Sequence, residues 1–231
     1  MSAPHSSDSI RNYSDKHLDP AQAAAYRVKF QRSFTRRLST ARETKLVARA
    51  YQLALAEVLQ PATVLDYPCG AGRFAPLFAA GAAGYIAGDH SPHMIAITSE
   101  VLAKAGLSDK LRSTTEGDAR SMNLEDDAVD LAASMRLLHH FPDREDRLSI
   151  LRELRRVSKG PLVTSFLDAD SIKQRAHVRR CKRDGKASRR VLVTPAQFAQ
   201  EALEAGWQVR QTWGLSSLFS GQRVALLFPT K

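Results

Sequence analysis

Acids and glycines at set intervals carry the chemistry that the first half of this 231-residue chain can support. In Val64-Leu65-Asp66-Tyr67-Pro68-Cys69-Gly70-Ala71-Gly72-Arg73-Phe74 an acid follows a short apolar run, and two glycines then lead into a helical stretch. Glycine lets the backbone approach a ligand closely, and a helix start presents N–H groups to it. The run from Gly70 to Ala75 also fits the dinucleotide fingerprint G-x-G-x-x-G/A, with Asp89 about twenty residues on. Asp66 argues against that ligand, because a carboxylate beside a pyrophosphate is repelled. A ligand with an ammonium group suits the acid better, which leaves a nicotinamide-linked oxidoreductase as a remote alternative.

The segment Asp66-Tyr67-Pro68-Cys69-Gly70-Ala71-Gly72 resembles motif I of the class I S-adenosylmethionine (SAM) dependent methyltransferases. Two further landmarks follow in the family's order. Asp89 matches the acid that ends the second strand and holds the ribose hydroxyls, and Gly117-Asp118-Ala119 matches the adenine-contacting turn after the third. The stretch from Val129 through Leu137-Leu138-His139-His140-Phe141-Pro142-Asp143 resembles the part beneath the methionine end of the cofactor, and Arg144 to Val157 the helix that follows. The similarity spans residues 61–168 and the last strand pair. It implies SAM as cofactor, a transferase activity, and a doubly wound, mostly parallel seven-stranded sheet of the Rossmann-like methyltransferase type. The implied cofactor contacts are Asp66, Pro68, Gly70, Gly72 and Asp89, with His90, Met94, Asp118, Ala119 and Met135 around them. Pro68 departs from the family, which has a glycine there. Proline lacks an N–H and fixes its own φ, so an extended turn is expected at that point.

Three other residues could take a proton from a methyl acceptor. His139 and His140 adjoin the expected acceptor position, and Asp168 ends the fifth strand, at the sheet edge where open α/β folds bind ligands. Asp168 could equally cap the helix that starts at Ser171. His90 and His93 have no accompanying cluster of acids or cysteines, so no metal site is expected. Cys69 reads as a small packed residue of the loop. Methyl transfer from a sulfonium asks the protein mainly to align the acceptor and exclude water. For that reason the sequence is more explicit about the donor than the acceptor.

The elements that would position these groups follow from the apolar pattern. Met1 to Pro20 is polar and aperiodic, and reads as a flexible leader. Tyr26, Phe30, Phe34 and Leu38 recur every fourth residue and predict an amphipathic helix over Ala21 to Leu38. Tyr26 could cover the cofactor from that helix. Thr40 with Glu43 predicts a capping box that opens a second helix, ended by Pro61. Strands are expected at Thr63 to Asp66, Gly84 to Asp89, Leu111 to Gly117, Val129 to Met135 and Pro161 to Leu167. Helices are expected between them at Gly72 to Ala80, Pro92 to Ala105 and Arg144 to Val157, with a last one opened by Thr194 and two closing strands. This gives a leader (1–20), a helical cap (21–60) and a SAM-binding domain (61–231) with a basic insertion at 171–193.

Charge adds a statement about partners. The formal net charge is +10. Nine cations face one acid between Ser171 and Arg190, and eight face one between Arg27 and Arg49, leaving 17 cations and 22 acids elsewhere. A mildly acidic core therefore lies between two basic segments. The expectation is a two-part lid, with Arg179, Arg180 and Arg183 contacting an anionic small or lipid-linked acceptor. RNA methylation is the alternative enzyme reading, although no Asn-Pro-Pro-Tyr-like motif follows the fourth strand. A noncatalytic module binding nucleic acid or a membrane surface is the alternative outside enzymes. With two cysteines and no apolar signal core, a reduced, cytoplasmic location is expected. No apolar run reaches the roughly 18 residues that suggest a membrane-spanning helix, although peripheral contact with a membrane stays open.

Overall fold

A computed structural model describes residues 34–185, 188, 190–216 and 220–230. The leader, Tyr26 and most of the helix predicted over residues 21–38 lie outside these residues. Helices α1 (Phe34–Leu55), α2 (Ala75–Ala80), α3 (Pro92–Lys104), α4 (Arg144–Val157), α5 (Ile172–Arg183) and α6 (Pro195–Glu204) alternate with or follow seven strands. The strands are β1 (Thr63–Asp66), β2 (Gly84–Asp89), β3 (Leu111–Glu116), β4 (Leu131–Ser134), β5 (Leu162–Leu167), β6 (Trp207–Ser216) and β7 (Ser220–Pro229). They form one sheet in the order β3-β2-β1-β4-β5-β7-β6, with β7 antiparallel to both neighbours and the other pairs parallel. The strand order reverses between β1 and β4, the point at which doubly wound sheets open a crevice at the carboxyl edge.

Both faces of the sheet are covered, so the central strands β2, β4 and β5 are buried throughout. On one face Leu148, Leu151 and Leu154 of α4 join Phe198 of α6, Phe166 and Trp207. Phe198 stacks on Phe166 with ring centroids 4.2 Å apart, and the buried Trp207 donates its indole N–H to Leu151 O at 2.8 Å. On the other face Val47 and Tyr51 of α1 pack with Phe74 and Phe78 around α2, and with Leu102 of α3. Each such side chain contributes about 1.5–3 kcal/mol by leaving water. A buried ion pair, Arg147 to Glu201 at 2.6 Å, joins α4 to α6.

Two local expectations are corrected. Helix α1 runs without a break through Thr40, whose carbonyl accepts the Thr44 hydroxyl at 3.0 Å as an interior turn would. The carboxylate of Glu43 does not turn back to a cap but reaches Arg73 and Arg136. The same four-residue pattern does cap α6, where Thr194 Oγ1 accepts Gln197 N–H at 3.1 Å and Gln197 Oε1 accepts Thr194 N–H at 2.9 Å. Helix α1 also ends at Leu55, ahead of Pro61. Helix α2 begins only at Ala75, because Gly72 takes φ +71° and cannot start a right-handed helix there. Among the described residues no helix is long and apolar enough to cross a membrane.

Candidate cofactor and acceptor site

The loop after β1 is built by contacts from three strands. Its turn at Pro68 uses a cis Tyr67–Pro68 peptide bond, a local geometry that the residue type alone did not specify. Cys69 N–H then donates to Gly88 O at 2.7 Å, and Thr98 Oγ1 of α3 donates to Gly70 O at 2.9 Å. Tyr67 lies buried across β2, and its hydroxyl donates to Gly117 O at the end of β3. A Cβ on Gly88 would come within 2.1 Å of Tyr67 Cδ2, so only glycine admits the ring. Among the described residues no atom lies within 4 Å of the position of a Cβ on Gly70, which has φ +54°. Open space therefore lies against the loop, where a ligand can approach the backbone.

Three acids stand at or just beyond the carboxyl ends of β1, β2 and β3. Asp66 is buried and accepts the Tyr85 hydroxyl at 2.8 Å. Burial pushes its carboxyl up to about 8, opposed by the Tyr85 hydrogen bond and reinforced by the charge of Asp89. Asp89 accepts Gly70 N–H at 2.9 Å on one oxygen and Ser91 N–H at 3.0 Å on the other. Burial raises it, against the pull of those two amides and of nearby His90. For Asp118, burial also raises the carboxyl, but the Arg120 hydrogen bonds and charge together outweigh it and hold the group low. Arg120 reaches on to Asp146 at 2.7 Å, so Asp118 is anchored in place. His90 is exposed, while Met94, Ala119 and Met135 are buried. Among the described residues no group of three His, Cys, Asp or Glu could hold a metal ion.

The donor set fits SAM. A buried acid that an ammonium group would draw back into its charged form stands at β1, and a carboxylate able to accept from ribose hydroxyls stands at β2. The open face of Gly70 lies between them in sequence. An uncharged or doubly anionic ligand would find less to pair with here.

Cations gather on the neighbouring side, beyond β4. Arg136 has φ +63°, with its N–H donated to Ser165 Oγ at 2.8 Å. Its guanidinium reaches Glu43 Oε2 at 3.2 Å, and Arg73 reaches the same oxygen at 2.6 Å. Glu43 is buried, with Oε1 lacking a hydrogen-bond partner among the described residues. Two guanidinium groups thus share one carboxylate oxygen. No motif marks this cluster, since its members come from α1, the β1 loop and the end of β4.

The candidate proton acceptors separate in the structure. His139 is buried, with Nδ1 lacking a hydrogen-bond partner among the described residues. Burial first, and then the charges of His140, Arg136 and Arg190, push it far below the usual range, so its imidazole is neutral. His140 is half-buried, its ring 4.0 Å from that of His139. Asp168 is bound by Arg223 at 2.8 Å and also accepts Asp170 N–H at 2.8 Å. It is not the cap of α5: Ser171 fills that role, its side chain accepting Gln174 N–H. Arg179, Arg180 and Arg183 are exposed on α5, whose inward residues are Gln174, His177 and Cys181. These three side chains lie on the side of α5 away from β7 and make no contact that would fix them over the cleft among the described residues.

Residues 64–160 match the model of a family described as a methyltransferase domain. Over that span the chain is similar to methyltransferase domains. Among solved structures it is similar to the magnesium protoporphyrin IX methyltransferase of Synechocystis PCC 6803, crystallised with bound SAM, at 14% identity and TM-score 0.73, covering 100% of each chain. It is also similar to a putative methyltransferase from Bacillus halodurans, at 22% identity and TM-score 0.59, covering 72% of this chain and 71% of that one. A third is the mitomycin 7-O-methyltransferase MmcR, at 17% identity and TM-score 0.60, covering 80% of this chain and 54% of that one. Comparison with curated protein sequences finds no match. The matched span runs from β1 to just past α4, and so contains the loop, Asp89, Asp118 and Arg136.

Proposed function

We propose that this protein transfers a methyl group from SAM to an anionic small molecule, free or lipid-linked. The observation that carries this reading is the charge division along one sheet edge. Acids Asp66 and Asp89 adjoin the open loop, and cations Arg73 and Arg136 stand beside it on the carboxylate of Glu43. The first pair suits the donor, and the second suits an acceptor that brings a negative charge. The two neighbours named for an acceptor, magnesium protoporphyrin IX and mitomycin, act on small molecules.

When bound, SAM supplies a methyl carbon already activated by its sulfonium. The rest of the work is placement. Asp66 would pair with the ammonium group and Asp89 with the ribose hydroxyls, with Pro68, Gly72, Ala119, Met94 and Met135 shaping the walls. Arg73 and Arg136 would orient the acceptor's acid, which converts an encounter into an aligned displacement. Where the acceptor atom carries a proton, His140, half-buried beyond the end of β4, would take it, with the carboxylate of Asp168 held by Arg223. His139 supports the turn from within.

Calorimetric titration with S-adenosylhomocysteine (SAH) tests the donor half. Binding to the wild type and at least a tenfold loss in Asp89→Asn is the expected result. No binding at millimolar concentration would remove the enzyme reading. Incubating cell extract with the protein and SAM, then searching by mass spectrometry for a product heavier by one methyl group, tests the acceptor half.

A further inference from the structure

The three exposed arginines Arg179, Arg180 and Arg183 form part of a wider basic surface. Helix α5 has 12 residues, six of them cations and none of them acids. Residues three and four apart share a helix face, so Ile172, Arg175, Ala176, Arg179 and Arg183 form one stripe. Each of them is exposed, Ile172 at 56%. Val178, beside the stripe, is 45% exposed. The helix cannot roll to bury them. A Cβ on Gly221 of β7 would stand 2.4 Å from Gln174 Cγ and 2.7 Å from Ser171 Oγ, so β7 grips the opposite face. Arg175 pairs with Asp170 and Arg183 with Asp184, both at exposed positions. Among the described residues no ion pair is formed by Arg179, Arg180 or Lys182.

The position of α5 matters as much as its charge. The insertion leaves the sheet after Leu167 and returns beside the same residue, with Val193 N–H donating to Leu167 O at 3.0 Å. Two residues earlier, Val191 N–H donates to His139 O at 3.0 Å. The insertion that contains the basic helix is therefore tied at both of its ends to the carboxyl edge that carries the candidate acceptor site.

We propose that the outer stripe of α5 docks on an anionic lipid surface, with Ile172 and Val178 entering the headgroup boundary and the arginines pairing with acidic headgroups. Charge complementarity names the sign of the partner, and the two exposed aliphatic side chains distinguish its kind. A lipid interface rewards an apolar side chain set among cations. Single-stranded RNA is gripped by aromatic stacking platforms, and α5 has no aromatic residue apart from His177 on its inward side. Docking of this kind would bring the acceptor edge to the membrane, but the surface stands without the methyl-transfer reading.

Co-sedimentation with vesicles of phosphatidylglycerol and phosphatidylcholine in equal parts tests it, with pure phosphatidylcholine vesicles alongside. The wild type is expected to bind only the anionic vesicles and to be released as salt screens the contact. The triple variant Arg179→Glu/Arg180→Glu/Arg183→Glu should bind at least about tenfold more weakly, since each basic residue near such a surface adds substantially to binding. Ile172→Ser, an exposed substitution that leaves the fold intact, should also weaken it. No binding to anionic vesicles, equal binding to neutral ones, or binding that neither variant changes would overturn the proposal. So would tighter binding to polyuridylate than to vesicles, insensitive to Ile172→Ser, which would assign the stripe to RNA. SAH titration of the same proteins keeps the readings apart: a wild type that ignores SAH yet sediments with anionic vesicles ends the cofactor reading and supports this one.

Discussion

The Tyr85 hydroxyl on β2 donates to the carboxylate of Asp66 on β1 at 2.8 Å, inside the sheet and out of reach of water. Such a carboxyl is a poor anion: burial pushes it up to about 8, even with Tyr85 pulling the other way. In the unfolded chain it would ionise near 4, so the folded form holds a proton that the unfolded form has lost between those values. This contribution to stability is therefore full below about pH 4 and is lost as pH rises toward 8, where the folded group also ionises. An ammonium ligand reverses the preference and should expel the proton. SAH titration near pH 7 in buffers of different ionisation enthalpy should show proton release, and Asp66→Asn should abolish it. Release unchanged in Asp66→Asn would place the titrating group elsewhere.

Gly88 and Gly70 offer a matched pair of substitutions with different causes. Alanine at Gly88 drives a methyl group into Tyr67, at 2.1 Å from Cδ2. The ring must move, and with it the loop that Tyr67 ties to β3. Overpacking of this kind costs about 1–3 kcal/mol. Alanine at Gly70 meets open space, and its cost is the left-handed backbone alone, about 1 kcal/mol. Urea denaturation should rank Gly88→Ala as the less stable variant, with SAH affinity reduced in both.

Arg136 keeps a left-handed backbone at φ +63° without being glycine, a conformation that costs about 1–2 kcal/mol in an ordinary residue. Strain of that kind persists where the surroundings enforce it, and here Ser165 and Glu43 do so. Removing the side chain in two ways separates the parts. Arg136→Gly and Arg136→Ala both lose the ion pair, but only the first relieves the backbone. Gly should be more stable than Ala by about 1 kcal/mol, and equal stability would show that the backbone at this position relaxes without cost.

The positions that bind through backbone and charge were legible in the sequence, because their spacing is local. Asp66, Gly70 and Gly72 occupy one turn, and Asp89 ends the next strand, whose limits matched the alternation of apolar runs. What escaped was everything decided by adjacency across strands. Tyr67 needs Gly88, Tyr85 needs Asp66, and Glu43 needs Arg73 and Arg136, each pair distant in sequence or unmarked by a motif. The two Thr-x-x-Glu/Gln patterns make the same point. Gln197 has no stronger partner and caps its helix, whereas Glu43 meets two guanidinium groups and leaves Thr40 inside a continuous one. The orientation of the basic helix has a related cause: composition located the charge on α5, but close packing of Gly221 on Ser171 and Gln174 fixes which side of that helix faces out.

Asp168 and His140 make opposite predictions for catalysis. Asp168 accepts from Arg223, whose side chain is 29% exposed, so Asp168→Asn leaves a half-buried cation short of its acid. Removing one partner of such a pair costs about 1–3 kcal/mol. Stability should fall, while the pH profile of methyl transfer keeps its shape. Replacing both partners, as Asp168→Asn with Arg223→Met, should recover part of that loss, because the coupling energy is then no longer paid twice over in an unmatched group. His140→Gln, by contrast, should leave SAH affinity and unfolding midpoint near those of the wild type and lower kcat for an acceptor that must lose a proton. If Asp168→Asn instead shifts the pH profile at unchanged stability, then its carboxylate leaves Arg223 during turnover and takes the proton itself.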